Sequence, residues 1–396
     1  MSLFKLDNVI QNYAWGSKDS IHNLFGINNP EHKPQAEIWM GAHPNGCSRL
    51  NETGEPLSDV IEQNKMDILG DYTAARFGEL PFLFKVLAAE TPLSIQVHPS
   101  KHKAQQGFER ENLKGIPLDA AHRNYKDPNH KPELVYALTF YKAMNGFRPI
   151  ADIIALFKEA DIPSLAKEIS ELEKHADSAA LQEFFTAIMS LEGKHKEVAL
   201  AELEAAHNRP AKTMMGREAL QYSAEFKQHY PGDIGLFSPL MLNTVELAPG
   251  EAMFLFAETP HAYVQGTGLE IMANSDNVLR AGLTPKHIDV TELIDNTSFE
   301  PINPAEIRLK PIYKEGNKVS YPIPVDDFCF EVMTVEHISQ AQFVRSAEIL
   351  FCIEGEVAIS SQNNHVVLRA GESVFVSSNS VRYDYQGHGR IARAFN

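Results

Sequence analysis

Leu247-Ala-Pro-Gly-Glu-Ala-Met-Phe254 and Leu368-Arg-Ala-Gly-Glu-Ser-Val-Phe375 lie 121 residues apart in the chain and share one pattern. The register carries on beyond them: Gly250/Gly371, Glu251/Glu372, Phe254/Phe375, Gln265/Gln386 and Gly266/Gly387 coincide. Identities held in one register favour a duplicated β-unit, in which a glycine turn leads from one short strand into the next. At the position of His261 the second copy carries Arg382. If the first copy binds a metal through that imidazole, the second has lost the ability. One metal-binding barrel and one structural barrel are therefore expected.

The rest of the chain fits around this repeat. Residues 1–149 alternate turn formers with short apolar runs, among them Ala36-Glu-Ile-Trp-Met-Gly41, Leu80-Pro-Phe-Leu-Phe-Lys-Val-Leu87 and Glu133-Leu-Val-Tyr-Ala-Leu138. Their spacing predicts β-structure, with local helices over 56–68 and 103–114. From 150 to 230 the only prolines are Pro163 and Pro210 and the only glycines Gly193 and Gly216. Apolar residues there recur at helical spacing, as in Leu165, Ile169, Leu172 and Leu181, Phe184, Phe185, Ile188. The stretch predicts a helical insert, with lysines and glutamates on a solvated face. From Pro231 the β-texture returns. The expected organisation is mainly β: a discontinuous catalytic barrel from 1–149 and 231–315, a helical insert at 150–230, and a metal-free barrel at 316–396.

Three short stretches can close around one cation. Gln96 and His98 lie two apart in Leu93-Ser-Ile-Gln-Val-His98, which reads as a strand, so both face one side. Glu133 in His130-Lys-Pro-Glu133 and His261 in Pro260-His-Ala-Tyr263 add a carboxylate and a second imidazole, a donor set suited to a divalent metal.

A formal net charge of −16 excludes the basic footprint of a nucleic-acid binder. Apolar runs such as 348–353 are too short to span a bilayer, and the first residues hold no apolar signal segment. Cys47, Cys329 and Cys352 form no C-x-x-C pair, which suggests reduced thiols and a cytoplasmic setting. An anionic substrate would require local positive charge in so acidic a chain. Lys85, Lys131, Arg280 and Lys286 lie close in sequence to the proposed donors and supply it.

The pattern Gly250-Glu251-x8-Pro260-His261 resembles the second motif of cupin (jelly-roll) barrels, and Gln96-x-His98 with Glu133 resembles a degenerate first motif. A closer resemblance joins seven segments: Tyr13-Ala-Trp-Gly16, Ala36-Glu-Ile-Trp-Met-Gly-Ala-His-Pro44, Pro81-Phe-Leu-Phe-Lys-Val-Leu87, Pro92-Leu-Ser-Ile-Gln-Val-His-Pro99, His130-Lys-Pro-Glu133, Pro260-His-Ala-Tyr263 and Ser275-Asp-Asn-Val-Leu-Arg-Ala-Gly-Leu-Thr-Pro-Lys286. Together they are similar to type I mannose-6-phosphate isomerases over residues 1 to about 310; the last eighty residues match only loosely. The resemblance implies a monomeric enzyme with one zinc per chain on Gln96, His98, Glu133 and His261. Its phosphosugar substrate would be interconverted between mannose 6-phosphate and fructose 6-phosphate.

Moving a proton between neighbouring carbons through an enediol needs a stabiliser of oxyanion charge and an acid/base group. Zinc suits the first task as a Lewis acid without redox chemistry. In relatives Lys85, Ser94 and Lys286 are expected at the phosphate, with Arg280 and Lys131 nearer the reacting carbons and Trp15 and Tyr263 as pocket walls. Glu270, Asp276, His130 and a metal-bound water are the candidates for proton transfer. Glu270 and Asp276 have an alternative reading as salt-bridge partners of Arg280, and Lys85 as a snorkelling strand residue. Two other functions compete: a cupin-type iron oxygenase, against which Gln96 and the local cations count, and a non-catalytic sugar-binding cupin.

Overall fold

The computed structural model describes residues 2–362 and 364–396. Its first strands are β1 (Leu3–Asp7), β2 (Val9–Gln11), β3 (Glu37–Met40), β4 (Arg49–Leu50), β5 (Phe82–Ala89) and β6 (Gln96–Val97). Then come β7 (Glu133–Ala137), β8 (Tyr141–Phe147), β9 (Leu242–Leu247), β10 (Ala252–Leu255), β11 (His261–Ala273) and β12 (Leu279–Arg280). The remainder are β13 (Ile312–Lys314), β14 (Lys318–Ser320), β15 (Cys329–Val335), β16 (Gln340–Phe343), β17 (Glu348–Ser361), β18 (Asn364–Arg369), β19 (Ser373–Val376) and β20 (Arg382–Phe395). They form two antiparallel systems of ten strands each, the expected pair of cupin-type units with a helical insert.

The repeat is visible strand by strand. Shifting β10 by 121 residues gives the bounds of β19, and the same shift carries the start of β11 onto the start of β20. In both copies the glutamate side chain after the turn accepts a backbone N–H three residues earlier, Glu251 from Ala248 and Glu372 from Arg369, each at 2.8 Å. The turn glycines Gly250 and Gly371 take φ of 93° and 85°, open to glycine and strained for other residues. Gly266 sits where β11 bends, and a Cβ there would lie 2.5 Å from the Phe140 carbonyl; at Gly387 the contact would be 2.2 Å from Glu356. Glycine at these bends lets the long strand serve two sheets. The first part of β11 pairs with β6 and β8, the second with β5 and β7.

The sheets do not divide where the sequence suggested. β1 and β4 join the C-terminal system, β1 lying antiparallel to β19 with Leu3 opposite Val376, and β13 joins it as well. Strand pairing therefore crosses the expected division at 315/316, with β1 and β4 of 1–149 and β13 of 231–315 lying in the C-terminal sheet. The two units also share one core, in which Phe84 packs on Phe330 and Phe351.

The insert folds into helices at Ile150–Ala160, Ala166–His175, Ser178–Met189, Gly193–His207 and Met214–His229. Asp177 and Thr213 cap two of them by accepting N–H groups three residues on. Their apolar faces bury Phe157, Phe184, Leu203 and Phe226 in a core that continues into Val97, Met144 and Phe147 of the barrel. The insert thereby backs the β6 strand: Val97 is fully buried against it, which turns Gln96 and His98 the other way. Among the described residues no helix is long and apolar enough to cross a membrane.

Candidate metal centre and cavity

Strand register assembles the site in two rows. Across β8, β11, β6 and β12, Asn145, His261, Gln96 and Arg280 stand side by side. Across β3, β5 and β11, Trp39, Lys85 and Glu270 do the same. Directly opposed residues of antiparallel strands hold their Cβ atoms roughly 5 Å apart, so these groups converge without help from loops.

The imidazoles are pre-set as ligands. His98 Nδ1 lies 2.7 Å from the Asn277 carbonyl and His261 Nδ1 lies 2.9 Å from that of Thr259. A carbonyl can only accept, so both protons sit on Nδ1 and both Nε2 lone pairs are free. Those lone pairs point at one carboxylate: His98 Nε2 is 3.4 Å from Glu133 Oε1, and His261 Nε2 is 3.5 Å from Glu133 Oε2. All three residues are buried, with ligand atoms within 4.8 Å of one another, and His98 Nε2 has no hydrogen-bond partner. Two lone pairs facing an anion are stable only with a cation among them, so the donors fit a metal. Gln96 lines the same inner compartment, and its amide nitrogen lies 3.4 Å from Ser94 Oγ, which leaves its carbonyl oxygen free. Burial pushes the His98 imidazole down to about 4, keeping it neutral for ligation. Burial alone would raise Glu133, but His98 and Lys131 beside it hold its carboxyl well below the ordinary value.

Above this compartment opens a cavity of about 370 Å³ whose wall includes Trp15, Lys85, Lys131, Asp276, Arg280 and Lys286. Lys131 Nζ lies 3.5 Å from Glu133, as their spacing on one face predicts. Tyr263 is buried beneath, its hydroxyl 3.1 Å from Glu133 and 2.8 Å from Glu270.

The helical insert of phosphomannose isomerase type I matches over residues 156–242, that family's catalytic domain over 3–150, and a mannose-6-phosphate isomerase cupin domain over 317–396. Mannose-6-phosphate isomerase of Salmonella typhimurium is 50% identical over 99% of both chains. The chain belongs to the type I phosphomannose isomerase family. The human member is 35% identical over 95% of this chain and 94% of its own. A zinc-bound crystal structure of mannose 6-phosphate isomerase superimposes with a TM-score of 0.93 at 49% identity, covering both chains completely.

Within this family frame the expected residues fall in different places. Lys85 is 5% exposed, its ammonium 2.9 Å from Glu270 and 3.8 Å from Glu37 and set over the Trp39 ring. Burial would lower its pKa, but the two carboxylates raise it. Two carboxylates thus engage the ammonium that the resemblance assigned to the phosphate, although Lys85 still lines the cavity. Glu270 is raised by burial, and Lys85 offsets that only in part. Neither Glu270 nor Asp276 pairs with Arg280, which has no ion-pair partner among the described residues. Burial lowers Arg280, and Arg280 in turn lowers Lys286. His130 is absent from the cavity wall; its Nε2 lies 3.0 Å from the buried Asp327, outside the catalytic sheet. Ser94 and Trp15 line the cavity. Sequence reading missed Glu37, which accepts the Trp39 indole N–H at 2.6 Å. The alternation of Glu37 and Trp39 on one strand face was the available signal.

Proposed function

We propose that this chain interconverts mannose 6-phosphate and fructose 6-phosphate, with one zinc ion held by Gln96, His98, Glu133 and His261. The convergence of two fixed imidazole lone pairs on Glu133, under a cavity walled by cations, carries the reading. When bound, zinc steadies negative charge developing on the sugar oxygens. The remaining work falls to side chains. Lys286 and Arg280, unshared with any carboxylate among the described residues, receive the phosphate and orient the sugar. Lys131 lines both compartments and is placed to steady oxyanion charge over the reacting carbons. Asp276 presents a carboxylate to the cavity for proton exchange, while Glu270 is held between Lys85 and Tyr263 and keeps that ammonium in place. The reading includes a single-chain cytoplasmic enzyme. All these groups come from one chain, and three free cysteines fit a reducing compartment.

The test is a coupled isomerisation assay on protein stripped by a chelator and then restored. Zinc should return to about one ion per chain and turnover should return with it. Zinc-restored protein that leaves mannose 6-phosphate unchanged would refute the reading.

A further inference from the structure

His43 follows β3 in Gly41-Ala-His-Pro44 and lies behind the cavity wall, 5% exposed, its ring set edge-on to Trp39 at 5.0 Å. Its Nδ1 accepts the backbone N–H of Asn45 at 3.2 Å. An imidazole that accepts at Nδ1 carries its proton on Nε2. That Nε2 lies 3.4 Å from Asp276 Oδ1, while Asn45 Nδ2 donates to Asp276 Oδ2 at 3.1 Å. The backbone N–H of Asp276 is in turn held by Asp127 Oδ2 at 2.7 Å. The same short loop therefore donates the Asn45 amide to one oxygen of a carboxylate that lines the cavity and sets the His43 Nε2 at ion-pair distance from the other, and His43 itself does not line it.

We infer that His43 is a positioning residue: it fixes the Asp276 carboxylate in the cavity wall so that Asp276 can take a proton from a sugar hydroxyl and return it to the sugar. The imidazole beside it is also the foremost influence holding Asp276 below the ordinary carboxyl range, against burial, which raises it. No co-reactant is needed, because the proton leaves one sugar atom and returns to another. A buried histidine orienting a catalytic carboxylate inverts the more familiar arrangement in which a carboxylate orients a histidine. The inference rests on the isomerase reading above.

The experiment compares H43L, H43Q and D276N, singly and with H43L added to D276N, in the zinc-loaded enzyme. Leucine removes the donor; glutamine places an amide N–H near the position of Nε2. H43L should lower kcat by about tenfold or more, part of the usual contribution of one acid/base group. KM should stay within about twofold and zinc content unchanged. H43Q should stay within about threefold of the parent. In the D276N background H43L should cost nothing further, because its effect runs through Asp276. If H43L does not fold, H43N takes its place, since its amide stops short of Asp276 and kcat should fall as for leucine. Full turnover in the donorless variant, equal losses in H43Q and H43L, or an undiminished effect in D276N would each overturn the inference. Full turnover of D276N would do the same while leaving the isomerase reading intact; absence of isomerisation in the unsubstituted chain would refute that reading instead.

Discussion

Replacing Arg393 by methionine tests what holds the C-terminal unit together. Arg393 is 3% exposed and its guanidinium forks onto the fully buried Glu348, with Nε 2.7 Å from one oxygen and Nη2 on the other, while Nη1 donates to Glu331 at 2.8 Å. Each such charge-assisted bond is ordinarily worth about 1.5–3 kcal/mol, but the arginine's own desolvation takes back much of that. The relevant quantity is the cost of stranding Glu348. Its carboxyl already sits above the ordinary range, because burial outweighs Arg393, and without the guanidinium Tyr383, at 3.1 Å, is the one side-chain donor left to it among the described residues. Breaking a buried pair from one side costs about 3–5 kcal/mol, whereas replacing both partners with apolar groups is often neutral. R393M should therefore lose about 3–5 kcal/mol in urea unfolding of the zinc-loaded protein. R393M/E348L should lose distinctly less, with Glu331 still served by Lys314 at 2.5 Å. The folded fraction of either variant should turn over substrate normally. If the double variant is as unstable as the single, packing volume rather than stranded charge controls this core.

Two further outcomes follow from the site. K286A should raise KM for mannose 6-phosphate by about tenfold, the loss of one charge-assisted contact, with kcat within about twofold; K85M should instead lower kcat by more than about tenfold with KM little moved, and steady-state kinetics showing the reverse pattern would refute the assignment of the two ends. In chelated protein His98 is held down at about 4 against an ordinary 6.5, so between these values the unfolded state binds the extra proton; this histidine's share of stability is present above 6.5 and lost as pH falls toward 4, and thermal melts of H98Q should decline less across that window, an equal decline counting against it.

What was legible in the sequence was whatever had a short-range signature. The Gly-Glu turn, its repeat, the i, i+2 spacing of Gln96 and His98 and the helical periodicity around Leu181 and Phe184 all act over a few residues, and the structure carries each of them. What was not legible depends on partners brought together by distant pairing. Lys85 read as a free cation because Glu270, its cross-strand neighbour, lies 185 positions later. His130 read as a cavity residue because nothing near it announces Asp327. The placement of β1 left no mark at all, since a strand's pattern states which face is apolar and not which strand lies beside it.

That placement has a consequence for how the protein is made. β1 pairs with β19, and Ser380 Oγ closes the join on the Ser2 carbonyl across 378 residues. On a ribosome, Leu3–Asp7 emerge long before Ser373–Val376, and until those residues follow only the two-residue strand β4 is there to pair with β1. Their apolar side chains, Leu3 and Leu6, are open to other edges during that interval, and such long-range pairing closes slowly. Premature termination before residue 373 would therefore release a chain in which β1 lacks its longer partner β19 and leaves that edge, with Leu3 and Leu6, uncovered.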